Sequence, residues 1–551
     1  MMSSPNADER FRQLSEEMLK DILEVSPGLG TSLGLHEPYD YLLPDGSTRG
    51  IVESLQLMER WIRRFRNTVN YEELSDDNKI DWEVLEKSFE LSKFSFYELR
   101  TYERNPDAFD LIGALLFIML TREYAPLEKR IDAIASRLEK TPKYFEEFRS
   151  RFEESMPVKL WTEVALESAG SIAGFLQFIL QVAKGKVSDQ VYVRLEKAVE
   201  NLQPVFGSYV EWLKDLLQRT TEDWAIGREK FEKYLELREL GLTSDEILDL
   251  GERYLRDLKV ERARLCREIA PGKPLDEIME SIRENAPETF EDALEFTKKT
   301  MEDARRFVQE KGVATVYPED KLIVNETPAF MAPLIPFAAL SMPSKFDQPQ
   351  IGVYIVTRPK EIANLEKHLN YKWIRNVAVH EAFPGHFLQG AISNRGSFIR
   401  LFGSGNETVE GWAHYCEQMM AEKGFIADKE TRLIQTNDMI WRAVRIIVDV
   451  GLSRGEMSFD EAVEMLMKEA DMSKEGATAE VKRYTMTPSY ALSYLVGKHL
   501  ILQLKEEVKN RMGSKFSDKF FHDTITANGY LPVSLLRKVF DQNITRLETP
   551  T

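Results

Sequence analysis

One short stretch decides how this chain is interpreted: VHEAFPGHFLQ, at Val379–Gln389. It begins as a zinc-peptidase helix does, with His380 followed directly by Glu381. The second histidine, His386, comes six positions after the first, two later than in the H-E-x-x-H motif. A regular helix advances by about 100° per residue, so residues four apart share a face and residues six apart do not. A regular helix would therefore keep the two histidines apart.

Two residues inside this stretch account for the late histidine. Pro384 removes a backbone donor and Gly385 can adopt unusual dihedral angles, so the pair is expected to distort a helix. Such a distortion would return His386 to roughly the place of a residue four positions after His380. The alternative is a helix that ends at Phe383, with two unrelated histidines, and this fragment alone leaves both open.

A third ligand is predicted in the segment GNETVEGWAHYCEQMM, which reads as a helix. Its Glu410, His414 and Glu417 stand at positions i, i+4 and i+7 and so share one face. Apolar neighbours of Glu410 predict that this face is buried, and a buried carboxylate requires a partner. Catalytic zinc typically takes three protein ligands and keeps one position for water. Two histidines and Glu410 would form one such set.

Composition excludes some classes of partner. The 551 residues carry a net charge of −18, which argues against nucleic acid as a main partner. The two cysteines, Cys266 and Cys416, do not form a disulfide framework, and the first residues do not resemble a signal peptide. The longest apolar run, LIGALLFIML from Leu111, is too short to span a membrane. We therefore predict a cytoplasmic protein with no membrane partner, whose oligomeric state the sequence leaves open.

The organisation of the chain predicts a mainly α protein with one β segment. Residues 1–310 show helical periodicity and form a predicted helical lobe. ATVYP, KLIVNE and PQIGVYIVTRP, between 314 and 359, are typical of short strands. Helical patterns dominate the remainder, so residues 311–551 form a predicted second lobe that contains the short β segment and the metal-binding helices.

Several motifs in order resemble the domain-of-unknown-function 885 family, whose members are regarded as zinc metallopeptidases. HEAFPGHFLQ is similar to the family's H-E-x-x-P-G-H, and VEGWAHYCE to its E-G-W-A-x-Y-x-E. RAVRIIVDVGL, RYTMTPSYALSYLVGK and the early SPGLGTSLGLHEPYDYLLPDGS match further family blocks, so the resemblance covers nearly the whole chain. The chain departs from the family at Pro488-Ser489-Tyr490, at Phe387 and at His414, which leaves the roles of Tyr490 and His414 open.

The resemblance implies a fold and an activity. The family is similar to gluzincins, which have two helical lobes around a deep cleft and a small β-sheet beside the metal-binding helix. One Zn²⁺ per chain would be held by His380, His386 and Glu410. Glu381 would be the general base that takes a proton from the metal-activated water. Short peptides would be the substrates.

Six further residues receive candidate roles. Tyr494 is the first choice as a donor to the oxyanion, and Tyr490, one turn earlier, could share its face. Glu417 would orient a ligand histidine. The set Arg442, Arg445 and Asp449 could hold a substrate carboxylate or phosphate, with a structural ion-pair network as the alternative.

Two other functions remain as alternatives. The same zinc ligands would serve a hydrolase acting on a non-peptide amide. The chain could also be a helical binding or scaffold protein with a structural metal, in which His414 closes the fourth coordination position.

Overall fold

The computed structural model describes residues 6–152, 156–327, 335, 337–359 and 369–548. The chain is mainly helical with a three-stranded sheet, which confirms the predicted fold class at that level. It divides into two compact units, one made of Met1–Trp224 with Ser344–Asp347 and the other of Ala225–Pro343 with Gln348–Thr551. The boundary at Trp224 differs from the boundary predicted at residue 310.

Packing explains why the boundary lies earlier. Leu265, Ile278 and Ile282, which precede residue 310, share one buried cluster with Leu433 and Ile434. A Cβ atom added to Gly251 would lie 2.7 Å from the Ile446 side chain, so the two backbones approach closely there. The helices between 228 and 310 therefore belong to the core of the second unit.

The regular elements described in the first unit are helices, and one isolated parallel β-bridge joins Val158 to Thr221. Ser75 caps the helix that begins at Asp76 by accepting a hydrogen bond from the Asn78 N–H. The predicted apolar run from Leu111 forms a helix, but Leu111 itself is exposed, so the helix is not fully buried. The helices are α1 (Ala7–Val25), α2 (Pro27–Leu33), α3 (Thr48–Thr68), α4 (Asp76–Phe94), α5 (Ala108–Thr121), α6 (Leu127–Arg149), α7 (Lys159–Ala183) and α8 (Asp189–Leu216).

Within the described residues, α7 is the one helix whose length and apolar composition would allow it to cross a membrane. Its most apolar window has a mean hydropathy of 1.3 and is 33% buried. Its exposed positions include Glu167, Ser171, Gln177 and Gln181. The apolar side of α7 is thus the side that packs into the unit.

The second unit holds the sheet and every predicted site residue. Its elements in chain order are α9 (Arg228–Leu237), α10 (Ser244–Ile269), α11 (Leu275–Glu284), α12 (Phe290–Glu310), β1 (Lys321–Glu326), β2 (Ala338–Ser341), β3 (Ile351–Val356), α13 (Tyr371–Val377), α14 (His386–Ser393), α15 (Asn406–Glu422), α16 (Lys429–Arg454), α17 (Phe459–Ala470), α18 (Lys474–Met486), α19 (Ser493–Met512), α20 (Asp518–Ala527) and α21 (Val533–Glu548).

The sheet packs against the helix that carries His386. Its strand order is β1-β3-β2, with β1 parallel and β2 antiparallel to β3. Gly352 of β3 faces α14, where an added Cβ would lie 2.6 Å from the Phe387 ring. KLIVNE and IGVYIV are strands as predicted, but ATVYP is not. There the N–H and hydroxyl of Thr315 donate to the Asp523 carboxylate, so the segment is held by a side chain instead of a neighbouring strand.

Candidate metal centre

The backbone around Pro384 breaks the helix and restarts it. A π-helical turn, Ala378–Ala382, follows α13, and the Phe383 N–H donates to the Ala378 carbonyl oxygen at 3.2 Å. The Phe383–Pro384 peptide bond is cis, and α14 begins at His386. A Cβ atom on Gly385 would lie 1.8 Å from the His380 carbonyl oxygen, so only glycine fits there. The helix does end at Phe383, as the alternative interpretation held, but the sharp turn still returns His386 towards His380.

The three predicted zinc ligands lie together. The rings of His380 and His386 are nearly perpendicular, with centroids 4.8 Å apart. His386 Nε2 lies 3.6 Å from Glu410 Oε2. One ligand atom from each of His380, His386 and Glu410 falls within 4.8 Å of the others. We call these three residues the open group, because their side chains keep 14–16% of their surface exposed.

Two contacts fix the position of α15, one to the helix break and one to α19. The Trp412 indole N–H donates to the Pro384 carbonyl oxygen at 2.8 Å. On its other side α15 packs directly on α19, since a Cβ on Gly411 would lie 2.3 Å from the Gly497 backbone. Glu410, beside Gly411, is thereby placed between the histidines and the start of α19.

Glu417 holds His380 in one orientation. Glu417 Oε1 accepts a hydrogen bond from His380 Nδ1 at 2.7 Å, and its other oxygen accepts from the Asn376 amide at 3.3 Å. The Gln435 amide in turn donates to Asn376 Oδ1 at 2.9 Å. With Nδ1 engaged, His380 has Nε2 available for a ligand. This is the arrangement predicted for Glu417, and Asn376 and Gln435 are additions that the sequence did not indicate.

The pKa values of His380 and Glu410 in the open group are shifted far from their usual values. Burial opposes the charged form of His380, but the hydrogen bond to Glu417 and the surrounding carboxylates outweigh it and raise its pKa to about 9. Burial would raise the pKa of Glu410, but His386, His380 and the Tyr490 hydroxyl lower it to about 2. Glu410 is therefore held as a carboxylate, and His380 must release its proton before Nε2 can bind a metal.

Glu381 lies between the first histidine and the sheet. Its negative charge is one of the influences that raise the pKa of His380. Burial, and to a smaller extent the charge of Glu381, raises the pKa of Tyr354 on β3. Glu381 is partly exposed, as a proton acceptor beside a metal site needs to be.

Of the two candidate tyrosines, Tyr490 is the one hydrogen-bonded to the open group. The Tyr490 hydroxyl donates to Glu410 Oε1 at 3.0 Å. Tyr494, the first choice from the sequence, lies against His414, with ring centroids 5.8 Å apart, and under the Arg445 guanidinium at 4.7 Å. Tyr490 belongs to the turn that precedes α19, which begins at Ser493, yet its ring still contacts that of Tyr494, with centroids 6.0 Å apart. Burial raises the pKa of both hydroxyls.

Asp449 holds the turn that carries Tyr490. Its carboxylate accepts hydrogen bonds from the N–H groups of Ser489 and Leu492, both at 2.9 Å. Burial raises the pKa of Asp449 to about 6. The Asp449 carboxylate is thus already bonded to backbone groups. Substrate binding, one of the two roles considered for it, would require these bonds to break.

The same turn is joined to α15 by an arginine that sequence reasoning missed. Arg238 donates to the Ser489 carbonyl oxygen at 2.7 Å, and its other terminal nitrogen pairs with the buried Glu407, one turn before Glu410. Ser489 has a φ of +64°, which a non-glycine residue adopts only when its surroundings hold it. No local spacing connects Arg238 to this turn, so no sequence signal could have identified it.

The arginines of α16 have different environments. Arg445 donates to Glu480 at 2.9 Å and to the Tyr484 hydroxyl at 2.7 Å, which is the structural ion-pair alternative. Arg442 donates to the Asp438 carbonyl oxygen at 3.2 Å, and its Nε is buried with no hydrogen-bond partner among the described residues.

His414 belongs to a second cluster. His380, His414 and Glu417 also offer ligand atoms within 4.8 Å of one another, and we call them the closed group. His414 Nδ1 lies 3.3 Å from Glu417 Oε1, and the side chain is only 2% exposed. Burial and nearby cations hold the pKa of His414 well below its usual value. His414 is therefore a buried neutral histidine, set apart from His386 and Glu410.

Comparisons with known proteins agree on the fold. A structure described as "a putative lipoprotein of unknown function from Shewanella oneidensis" is 22% identical, with a TM-score of 0.79, over 96% of this chain and 99% of that chain. "The putative lipoprotein from Colwellia psychrerythraea" is 18% identical, with a TM-score of 0.81, over 98% of this chain and 99% of that chain. At these identities the likeness shows the fold alone. No curated protein matches the chain.

The comparisons also correct one prediction and establish the family. Both solved structures are described as lipoproteins, which contradicts the predicted cytoplasmic location. The sequence model of one family matches residues 27–539, nearly the whole chain. The chain belongs to the family described as "Bacterial protein of unknown function (DUF885)".

Proposed function

We propose that this protein is a zinc-dependent peptidase of the gluzincin type, which binds one Zn²⁺ per chain and hydrolyses short peptides. The observation that carries the proposal is the convergence of His380, His386 and Glu410 across the helix break. Two histidines and one carboxylate are a common ligand set of catalytic zinc, which keeps a further position for water.

The residues present fit a zinc ion. Ligand atoms about 2.0–2.1 Å from a tetrahedral zinc lie about 3.4 Å from each other, and His386 Nε2 and Glu410 Oε2 are 3.6 Å apart. His380 Nδ1 is already bonded to Glu417, so His380 would offer Nε2. Zinc bound there would supply a Lewis acid and lower the pKa of a coordinated water to about 7.

The protein's own residues would then divide the proton transfers. Glu381 accepts the proton of the attacking water and passes it to the leaving nitrogen. The Tyr490 hydroxyl, 3.0 Å from Glu410, is near enough to the open group to donate to the oxyanion that forms on the substrate carbonyl. Glu417 keeps His380 in its ligating orientation. The Asp449 carboxylate holds the backbone on both sides of Tyr490.

Short peptides are proposed as substrates because of the resemblance to gluzincins, whose deep cleft between two helical lobes excludes folded proteins. Hydrolysis of a non-peptide amide would use the same ligands and the same base. The scaffold alternative is favoured by one observation, the buried closed group around His414. Structural zinc sites are closed by four protein ligands, whereas the open group supplies three.

Metal content and peptide cleavage, measured together, test the proposal. Purified wild type and Glu381→Gln should each contain about one zinc per chain, while cleavage of a mixed peptide library falls by about 10²–10⁴-fold in the variant. His499→Ala is the matched control, because His499 lies outside both groups and bonds to Tyr254. Wild type that holds zinc but leaves every peptide intact would contradict the peptidase proposal and favour a structural metal.

A further inference from the structure

Strand β1 lies at one edge of the sheet. Within the described part of the chain it pairs with β3 on one side and has no strand on the other. The N–H groups of Lys321 and Thr327 donate to carbonyl oxygens of the β3 side, at 3.1 and 2.7 Å. Because backbone groups alternate in direction along a strand, the N–H and C=O groups of Leu322 and Val324 point away from β3. Among the described residues, none forms a hydrogen bond with these outward groups.

A groove runs along this edge. Its volume is about 390 Å³, and it lies between β1 and the face of α12 that carries Met301, Glu302 and Arg305, with Phe383 also in the lining. Exposed apolar surface is available in it, since Ile323 of β1 is 42% exposed. A helix beside an open strand edge is the geometry in which peptides bind by adding a strand to a sheet.

The charges of the groove select an acidic occupant. Lys298, Arg305 and Lys321 line it, against one carboxylate, Glu302, although the whole chain carries −18. The Arg305 Nε is buried and has no partner among the described residues. Among the described residues, its guanidinium lies 5.8 Å from the centre of the Phe383 ring and makes two long hydrogen bonds, of 3.4 Å, to the carbonyl oxygens of Tyr317 and Pro318. The Arg305 guanidinium can therefore still donate hydrogen bonds to a carboxylate.

We propose that this groove binds an extended acidic peptide segment, which adds to β1 as a fourth strand and places one carboxylate on Arg305. Four residues of β1 line the groove, Lys321 to Val324, so about four residues of the peptide are held at about 3.3 Å per residue. The binding uses no residue of the open group and is independent of the proposed peptidase activity. It takes place at the edge of the sheet opposite to β2.

Fluorescence anisotropy on the full chain tests this binding. The probe is fluorescein-labelled Val-Glu-Val-Glu-Val-Glu with a blocked C-terminus, and the comparison probe has Lys at each Glu position. Both are measured on the Glu381→Gln protein, so that hydrolysis does not remove the probe. The acidic probe should bind, and the basic probe should not. Equal binding of the two probes, or no binding of the acidic probe, would overturn the proposal.

Variants locate the probe in the groove. Arg305→Gln should weaken binding by about 10-fold or more, as expected for loss of a charge-assisted hydrogen bond. Leu322→Pro removes an outward N–H without touching the β1–β3 ladder and should also weaken binding, whereas Leu322→Ala, which keeps that N–H, should not. Lys298→Glu changes an exposed side chain and keeps the test valid if Arg305→Gln does not fold. Unchanged affinity in folded Arg305→Gln or Lys298→Glu protein would refute the site.

Discussion

The open group and the closed group share His380, and in both the possible ligand atoms lie within 4.8 Å of one another. They differ in the contacts that those atoms already make. In the closed group Glu417 Oε1 is hydrogen-bonded to His380 Nδ1 at 2.7 Å and lies 3.3 Å from His414 Nδ1, so this oxygen is already engaged. In the open group the His386–Glu410 separation is 3.6 Å, and both side chains keep some exposure. Residue type and proximity do not distinguish the two groups, whereas hydrogen bonding and access do.

This difference assigns a separate task to each group. The open group has a gap of the size that a cation fills and a carboxylate whose pKa is lowered to about 2. The closed group is a support that fixes the ring of the shared histidine. Variants of the two groups should therefore have different consequences for metal binding.

The largest expected effect on zinc content comes from replacing a histidine of the open group, compared with replacing one of the closed group. His386→Ala should lose nearly all of the approximately one zinc per chain, together with peptide cleavage, because two ligands do not hold a catalytic zinc. His414→Leu should keep its zinc, since His414 is 2% exposed and bonded within the closed group. Zinc content by mass spectrometry measures both. Loss of zinc in His414→Leu with retention in His386→Ala would reverse the assignment.

Removing the tyrosine hydroxyl beside the open group should have the next largest effect. Tyr490→Phe should lower kcat by about 10²-fold with zinc content unchanged, as for loss of one oxyanion donor. Tyr494→Phe is the comparison variant, because the Tyr494 ring packs against His414, Arg445 and Tyr490, whereas the Tyr490 hydroxyl is the one bonded to Glu410. Steady-state kinetics on one peptide separate kcat from KM. A larger fall in kcat for Tyr494→Phe would restore the original sequence prediction.

A change in the closed group should act on the metal only through His380. Glu417→Gln keeps the shape of the side chain but weakens the charge-assisted bond to His380 Nδ1. Zinc affinity should fall by about 10–100-fold, as measured by competition with a chromophoric chelator. Glu422→Gln, a change on the same helix, should leave the affinity unchanged. A zinc affinity of Glu417→Gln equal to that of wild type would contradict the orienting role of Glu417.

The smallest effect concerns stability near the closed group. Lys498 is buried, and its ammonium contacts the Met439 sulfur at 3.0 Å. Burial lowers its pKa to about 8, although Glu417 opposes this. Between pH 8 and 10 the unfolded chain therefore holds more protons than the folded chain, and stability should rise with pH. Lys498→Met should remove that rise, about 2 kcal/mol between pH 8 and pH 10, in urea unfolding at the two pH values. The exposed Lys509→Met should retain it.

Local sequence rules predicted the parts of this structure that depend on neighbours in the chain. The helical periodicity, strands β1 and β3 and the clustering of His380, His386 and Glu410 followed from spacing and from Pro384-Gly385. ATVYP failed as a strand because Asp523, far along the chain, holds Thr315. Local spacing did not indicate the hydrogen bond from Tyr490 to Glu410, because it depends on a turn that Asp449 and Arg238 hold. Those contacts join distant segments, and no local pattern contains them.

Anomalous scattering from crystals grown with zinc, recorded on both sides of the zinc absorption edge, tests the central claim most directly. The account predicts one strong peak per chain, bounded by His380 Nε2, His386 and Glu410, with Glu417 still hydrogen-bonded to His380 Nδ1. A peak between His414 and Glu417, or the absence of any peak beside His386 in zinc-saturated crystals, would contradict it.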